Sequence, residues 1–515
     1  MILVRVSRLN RYGAEMDLRD YQTDAIDKLR DSLRAGKTRP VVQMPTGAGK
    51  TIVAANIVRM ALDKGKRVVF CVPAISLIDQ SVEKFERNGI PHIGVIQAQH
   101  ERTDRTAPVQ VCSIQTLARR HLPEGDLVII DECHLMFKFY DIWMNLPEWQ
   151  KVPFIGLTAT PWAKGMGAQG RWDDLIIGTT TDELIKLGHL SDFKVFAPAH
   201  PDLDGVKIVA GDYKLDQLGQ AMDKAPLVAD IVSTWLERGQ DRSTLVFAVN
   251  RAHAKNIEKQ FQEAGVTTAY LDAYTDLEER NQIAKAFEAG DVRVVCNVGV
   301  LTTGVDWDVR CIVLARPTRS EILYTQIIGR GLRTAEGKDY CLILDHSDTT
   351  LKLGFVTDIS HDKLDNGRVK SSPKEKKQLL PKECPKCAFL KPPKTKVCPS
   401  CGFEAIAVSD IDTEEGELHE ITRDGRVKVE KWPQEQKEYF YRELLGYAEL
   451  KSYKKGWAYH AYRARFSVGP ANSFSGSPLR MIRPETASWI KSYNIRKAKA
   501  REKAAGARFD ARHPD

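Results

Sequence analysis

"QMPTGAGKTIV", residues 43–53, is the stretch on which the reading of the whole chain turns. An apolar run stops at Met44, glycines follow at 47 and 49, and "KTIV" opens a stretch with helical spacing. Glycine adopts backbone angles closed to other residues, so Thr46, Gly47, Ala48 and Gly49 can curl N–H groups round an anion at a helix start. From that position Lys50 reaches terminal phosphates and the Thr51 hydroxyl ligates Mg²⁺. The general phosphate-loop pattern begins with Gly, whereas Met44 holds that place here. A chance Gly-rich turn is the rival reading, and the strand before and helix after weaken it.

Outward from this loop the chain alternates buried strands with amphipathic helices. "PVVQM", "RVVFCV", "VQVCSI", "LVIID" and "FIGLTA" are too uniformly apolar for half-exposed strands and predict a parallel sheet covered on both faces. "KTIVAANIVRMALDKG" and "PAISLIDQSVEKFERNG" predict the intervening helices, each closed by Gly. The pattern restarts after about residue 226 with "TLVFAV", "TTAYLD", "VRVVCNV" and "CIVLAR". The expected fold class is α/β: two tandem doubly wound parallel-sheet domains, followed by a zinc ribbon and a small basic C-terminal region. The expected boundaries are an N-terminal extension over 1–17, a first domain over 18–200, a connector over 201–225 and a second domain over 226–363. A Lys-, Pro- and Ser-rich linker over 364–382, a Cys₄ ribbon over 383–403, an acidic connector over 404–440 and a basic aromatic region over 441–515 follow.

"LVIIDECH", residues 127–134, delivers Asp131 and Glu132 at the carboxyl end of a strand, where α/β sheets bind ligands. Asp131 is placed to hold Mg²⁺ and Glu132 to polarise an attacking water. Far downstream, "QIIGRGLR", residues 326–333, sets Arg330 and Arg333 an i, i+3 step apart, bracketed by Gly329 and Gly331. On a helix that spacing gives two cations on one face. Glycines cost helix stability, so they predict a close approach to the backbone there.

With these residues the chain resembles a superfamily 2 helicase of the DExH type over about residues 18–350. "LRDYQTDAI" resembles the adenine-recognising motif, which implies Gln22 as base reader with Arg19 or Tyr21 beside it. "VPAISLIDQ" and "CSIQTLARR" resemble strand-contacting motifs. "LTATP", with Thr158 and Thr160, resembles the motif coupling the nucleotide to the nucleic-acid site. "VLTTGVDWD", with Gly304 and Asp306, resembles the coupling motif of the second domain, and "QIIGRGLR", with Gln326, Arg330 and Arg333, the last motif. The resemblance implies ATP and Mg²⁺ as cofactors, with Lys50, Asp131 and Glu132 facing Gln326, Arg330 and Arg333 across the nucleotide. It implies hydrolysis coupled to movement on nucleic acid.

The cysteines divide into two sets. Cys384, Cys387, Cys398 and Cys401 form two CxxC knuckles with a ten-residue gap, the spacing of a tetrahedral Zn²⁺ site. An iron–sulfur cluster is the chemical alternative. Cys71, Cys112, Cys133, Cys296, Cys311 and Cys341 sit in apolar strands and are expected to be small core residues. Reduced cysteines, no secretory signal and no apolar run of ~18–20 residues point to the cytoplasm, away from any membrane.

The formal charge is +8, yet from Arg442 onward sixteen Lys/Arg face six Asp/Glu, so the excess belongs to the tail. "LKSYKKGWAYHAYRARF", residues 450–466, interleaves cations with aromatics, which suits either a nucleic-acid surface or a small helical core. "IRKAKAREKAAGAR" is a basic helix or arm, and "RDGRV" suggests a hairpin turn. Motor, linker, Cys₄ ribbon and basic tail, in that order, resemble the RadD-type DNA repair helicases and related phage-encoded helicases. The expected partner is DNA, single-stranded or forked and branched, with repair or replication proteins possible beside it. An RNA helicase, an ATP-switched DNA-binding or remodelling factor, and the motor subunit of a restriction system are the alternatives.

Overall fold

The structure is a computed structural model, and it describes residues 18–97, 100–302, 307–367, 380–404, 432–453, 456–466, 468–471, 473–474, 477–491 and 493–494. The extension over 1–17, Gly304, Asp306, most of the linker and acidic connector, the Asp-Gly turn and the basic stretch after 495 lie outside those residues.

Seven short strands build the first sheet: β1 Pro40–Gln43, β2 Val68–Val72, β3 Ile93–Ile96, β4 Val109–Ser113, β5 Leu127–Asp131, β6 Phe154–Thr158 and β7 Asp174–Ile177. All pairs are parallel, in the order β3-β4-β2-β5-β6-β1-β7. Alternate residues of one strand feed different cores. Val42 packs with Ala25, Ile26 and Leu29 of the helix Asp20–Arg34, while Val41 joins the cluster around Trp143, Trp149 and Phe154. Burial on both faces is why these strands are continuously apolar.

The second sheet contains β8 Asp192–Phe196. A connecting hairpin of β9 Ile208–Val209 and β10 Asp212–Tyr213 precedes β11 Thr244–Phe247, β12 Thr268–Leu271, β13 Val294–Asn297, β14 Cys311–Leu314 and β15 Tyr340–Asp345. Its order is β12-β13-β11-β14-β15-β8, again parallel. This corrects the expected boundary at residue 200: β8 lies within 18–200 but pairs with β15, so the chain has already crossed between sheets before Asp192. Its alternating "DFKVF" carries exposed polar residues because it is an edge strand.

Beyond the second sheet, β16 Lys382–Glu383 and β17 Leu390–Lys391 form the hairpin of the cysteine ribbon. The ribbon does not stand apart. Phe389 bridges Phe196, their rings lie 5.3 Å apart, and Ala197 N–H donates to the Ala388 carbonyl. It therefore covers the carboxyl end of β8 at its outer edge, where backbone would otherwise be unpaired. The six remaining cysteines are buried, as expected of core residues.

The C-terminal residues form a separate unit. Its helix Gln434–Leu450 begins inside the expected acidic connector and runs through the expected boundary at 440. With Trp457–Phe466 and the helical stretch 484–491 it encloses Phe440, Leu444, Ala461, Tyr462 and Ile490. Tyr462 is buried and Trp457 and Phe466 pack against this core, so three of the four aromatics in "WAYHAYRARF" serve packing; Tyr459 is exposed. At the centre Glu443, 0% exposed, accepts from Arg483 Nε (3.0 Å), Arg483 Nη2 (2.9 Å), Arg483 N (2.8 Å) and Thr486 Oγ1 (2.7 Å). A buried carboxylate is tolerable only with its lone pairs satisfied in this way.

Glu443→Ala removes four acceptor bonds at once, and Arg483 regains only part of its hydration. We expect a cost of about 2–3 kcal/mol to this unit. Amide exchange over 434–450 and 484–491 should speed up accordingly while both sheets exchange as before.

Candidate active site

The topology of the first sheet brings three carboxyl ends side by side. β1, β6 and β5 are neighbours, so the loop 44–51, Thr158 with Thr160, and Asp131 with Glu132 share one edge. The loop is fixed by Met44 N–H donating to the Thr158 carbonyl at 3.0 Å. Gly47 and Gly49 have φ of 86° and 81°, and a Cβ on Gly49 would stand 2.5 Å from Gln22 Nε2. The helix Lys50–Leu62 then starts with no side-chain cap and no acid in its first turn. Its first N–H groups lack intrahelical acceptors, and that end carries the positive pole of the helix. Lys50 Nζ lies 3.4 Å from the Met44 carbonyl, folded over the loop.

Gln22 is buried, and both ends of its amide are engaged. Arg19 N–H donates to Oε1 (3.1 Å), and Nε2 donates to the Ala48 carbonyl (3.0 Å). Tyr21 Oη donates to the same carbonyl at 3.1 Å, and Arg19 Nη1 donates to Tyr21 Oη at 3.1 Å. Arg19, Tyr21 and Gln22 thus strap the loop from one side.

Asp131 and Glu132 emerge at the end of β5, with Glu132 N–H donating to Asp131 Oδ1. Glu132 has φ of 49°, left-handed for a residue with a side chain, at a cost of order ~1–3 kcal/mol. Two adjacent, half-buried carboxyls do not share one behaviour. Burial pushes Asp131 up to about 6, and the charge of Glu132 adds to the effect. Glu132 is held down at about 2, because Lys50, His134 and Arg330 together outweigh its own burial. Asp131 is therefore a carboxyl that a divalent cation would relieve, which fits the Mg²⁺ site that the motifs of Thr51 and Asp131 imply.

His134, not among the expected site residues, joins the two domains. Gln326 Nε2 donates to His134 Nε2 at 3.1 Å, which leaves Nδ1–H to donate to Thr158 Oγ1 at 2.8 Å. Thr158 Oγ1 also accepts from Thr160 N–H at 3.0 Å. Glu132 Oε2 lies 3.4 Å from His134 Nδ1, without a hydrogen bond, and the Thr160 hydroxyl is likewise buried without a partner among the described residues. The fourth letter of "DECH" was the available signal: an imidazole two residues past the acids can relay between elements, but nothing in a single sequence names its partner.

The second domain arrives as the helix Glu321–Gly331. A Cβ on Gly329 would stand 2.8 Å from Thr46 Cβ, and one on Gly331 would stand 2.4 Å from Cys341 Sγ. The expected close approach is real, and each glycine serves a different neighbour. The expected shared helical face is not: the helix ends at Gly331, so Arg330 lies in its last turn and Arg333 beyond it. Lys338 Nζ accounts for the break, since it donates to the carbonyls of Gly331 and Arg333, both at 2.6 Å. Arg330 is buried and acts electrostatically on Glu132, while the Arg333 side chain passes Gly47. The two arginines thus serve different parts of the junction, Arg330 at Glu132 and Arg333 at the phosphate loop. Leu190 and Ser191, unremarked in sequence, complete the junction. Leu190 Cδ2 packs on Gly47, and Ser191 N–H donates to the Leu332 carbonyl at 2.8 Å.

The four cysteine sulfurs of the ribbon lie within 4.8 Å of one another, with Cys384–Cys401 and Cys387–Cys398 both at 3.7 Å. A tetrahedral ion with metal–sulfur bonds of about 2.3 Å requires sulfur–sulfur edges near about 3.8 Å, so the set fits one ion.

Comparison with known proteins covers this same region. A family model described as "Type III restriction enzyme, res subunit" matches residues 15–163, and one described as "Helicase conserved C-terminal domain" matches residues 223–335. These spans include every residue of the junction from Arg19 to Arg333 except the crossing at 188–191. A 51.5 kDa protein of a Lactococcus phage is 28% identical over 71% of this chain and 78% of its own length. A Saccharomyces cerevisiae protein, IRC3, named for ATP-dependent helicase activity, is 31% identical over 67% of this chain; the chain spans 53% of that protein. The ATP-dependent DNA helicase uvsW of Enterobacteria phage T4 is 23% identical over 60% of this chain and 65% of its own length.

Gly329→Ala tests the junction without touching a charged group. Its Cβ must push Thr46 or the whole helix aside, so ATP turnover should fall by roughly tenfold or more, the effect of a ~1 Å misplacement. Circular dichroism should remain unchanged. Full turnover in this variant would show that the two domains need not close on Thr46.

Proposed function

We propose, from the premise that this chain belongs to the superfamily 2 helicases, that it is an ATP-dependent DNA helicase or translocase acting in repair, recombination or replication. In this reading the phosphates of ATP lie on residues 46–51, with Lys50 on the terminal pair. Thr51 and Asp131 would hold Mg²⁺, which supplies charge neutralisation to the phosphate oxygens. Glu132 orients the attacking water with the oxygen that lacks a donor. Arg330 and Arg333 stabilise the charge developing on the transferred phosphoryl group, a contribution of roughly 10³–10⁵ in rate in related NTPases. Gly304 and Asp306 belong to this set by their motif. Gln22 reads adenine by releasing one of its two present bonds.

The observation that carries the proposal is the chain Gln326, His134, Thr158, Thr160. It starts on the second domain, passes beside Glu132 and ends in the segment after β6. Loss of the γ-phosphate would remove what holds Arg330 and Gln326 in place, and the shift would be felt at Thr160. Hydrolysis would thereby be converted into relative movement of two strand-binding surfaces.

DNA rather than RNA is supported by the uvsW relative, and nucleic acid in general by the basic tail. A restriction motor is the second reading, favoured by the description of the family model over 15–163. Zn²⁺ is the ion proposed for the Cys₄ set, because four thiolates in two knuckles suit a closed structural site. The cytoplasm is the proposed compartment: no helix among the described residues is long and apolar enough to cross a membrane, and the ten cysteines are thiols.

ATP hydrolysis should be stimulated by single-stranded or forked DNA well above the level with RNA. An RNA optimum would replace DNA in this proposal, and silence without a second subunit would favour the restriction reading. Glu132→Gln should bind ATP and lose roughly 10²–10⁴ in turnover, whereas Lys50→Ala should lose binding as well. Wild-type turnover in Glu132→Gln would remove the water-orienting role.

Elemental analysis should find about one zinc per chain, absent in Cys398→Ser. Because the ribbon bonds the carboxyl end of β8, that variant should also expose residues 196–197 to faster amide exchange. Iron with visible absorbance would replace zinc by a cluster.

A further inference from the structure

Tyr274 is 80% exposed, the most exposed aromatic ring among the described residues, yet its loop is tightly built. Asp272, at the carboxyl end of β12, is 4% exposed and organises it. Its Oδ1 accepts from Tyr274 N–H (2.8 Å) and Thr275 N–H (3.1 Å), its Oδ2 accepts from Tyr270 Oη (2.7 Å), and Arg251 Nε forms an ion pair with Oδ2 at 2.7 Å. From the other side Arg280 donates to the carbonyls of Asp272 and Thr275. A ring that merely happened to be exposed would not need so many bonds to fix its backbone.

Arg251 makes the surface more specific. Its guanidinium carbon lies 5.0 Å from the centre of the Tyr274 ring, and its side chain is 58% exposed. It occupies the first position of the helix Arg251–Glu263, whose first turn contains no acid. A cation at the positive end of a helix is unfavourable for folding, and the ion pair with Asp272 offsets that cost while the guanidinium stays open to solvent. Leu277, three residues on, is 69% exposed and extends the apolar patch. The loop stands at the carboxyl end of the second sheet, the end from which β14 leads into the helix Glu321–Gly331, on the edge strand of that sheet. Ligands of open α/β sheets bind at that end.

An aromatic face beside a cation matches a base and its phosphate. We infer that Tyr274 stacks on a base of bound single-stranded DNA while Arg251 meets the adjacent phosphate, an inference that rests on the helicase reading above. Stacking is tolerant of sequence because every base has a flat face, so it suits an enzyme that must pass any sequence. It gives the second domain a hold on the bases in addition to the backbone.

The test uses the full chain with oligothymidylate and a strand of equal length made of abasic residues. Tyr274→Ala should lose roughly tenfold in affinity for oligothymidylate, the loss expected for one base–aromatic stack, and Tyr274→Phe should retain it. Wild type should bind the abasic strand correspondingly more weakly, and there Tyr274→Ala should cause no further loss. Equal binding of the two strands by wild type, or an alanine variant that binds like wild type, overturns the stacking while leaving DNA-stimulated hydrolysis intact. Absence of DNA-stimulated hydrolysis in wild type removes the helicase reading and this inference with it.

Discussion

Everything at the centre of this molecule depends on a contact that only a missing side chain allows. Gly329 lies against Thr46 with no room for a Cβ, and that closeness brings the end of the helix Glu321–Gly331 onto the phosphate loop. With the helix one ångström further out, Gln326 would lose His134 and Arg330 would lose its influence on Glu132. The glycine costs helix stability of roughly 1 kcal/mol relative to alanine. That cost is accepted at a position where packing of two separately folded sheets decides whether a site exists at all. Gly331 serves the other side of the same helix, against Cys341 and Ile312, so the helix is thinned on two faces at once.

The polar groups gathered there are not arranged for stability. A left-handed glutamate, two neighbouring half-buried carboxyls and a buried threonine hydroxyl without a partner among the described residues each oppose folding. Native proteins leave few such groups, and those they leave concentrate where a ligand completes them. Lys50 and Arg330 offset part of the charge, which is why Glu132 stays ionised while Asp131 is pushed the other way. The imbalance is that of a site built for a cation and a polyphosphate.

Local signals carried most of this in the sequence. The loop at 43–53 and the acids at 131–132 were legible because a strand, a special residue and a helix occur in one short window. The strands β3, β7, β8 and β15 escaped: "IGVI" is short, while "DLII" and "DFKVF" are edge strands whose mixed patterning does not resemble a buried run. The shared face for Arg330 and Arg333 assumed a helix that Lys338 ends early from a loop seven residues past Gly331. His134 and Ser191 were invisible for another reason. Their partners are 192 and 140 residues away, and periodicity says nothing about contacts at that distance. In the tail the aromatics suited two readings equally, and only the packing of Tyr462 against Phe440 and Ile490 decides for a core.

The two tethers between the sheets explain how such a site can both form and open. The chain crosses first at 188–191, where Gly188 has φ of 69°, Leu190 lies on Gly47 and Ser191 bonds the end of the arginine helix. It returns at 361–367, where His361 pairs with Glu321 at 2.7 Å and its ring lies 5.1 Å from Trp162. Gly165 and Gly167 N–H groups then donate to Asp365. Both tethers touch the helix Glu321–Gly331 or the segment directly after it. Rotation about them moves residues near the tethers little and residues far from them much. The junction at Thr46 and Gly329 is close to the first tether, so a small change at the γ-phosphate position suffices to make or break it. β12, at the opposite edge of the second sheet from β8, is farthest from that tether within the sheet and has the longest lever arm. Surfaces carried there, Tyr274 and Arg251 among them, undergo the largest displacement for a given rotation. A rotation about these tethers would thereby turn a short movement at the nucleotide site into a longer one at the outer edge of the sheet.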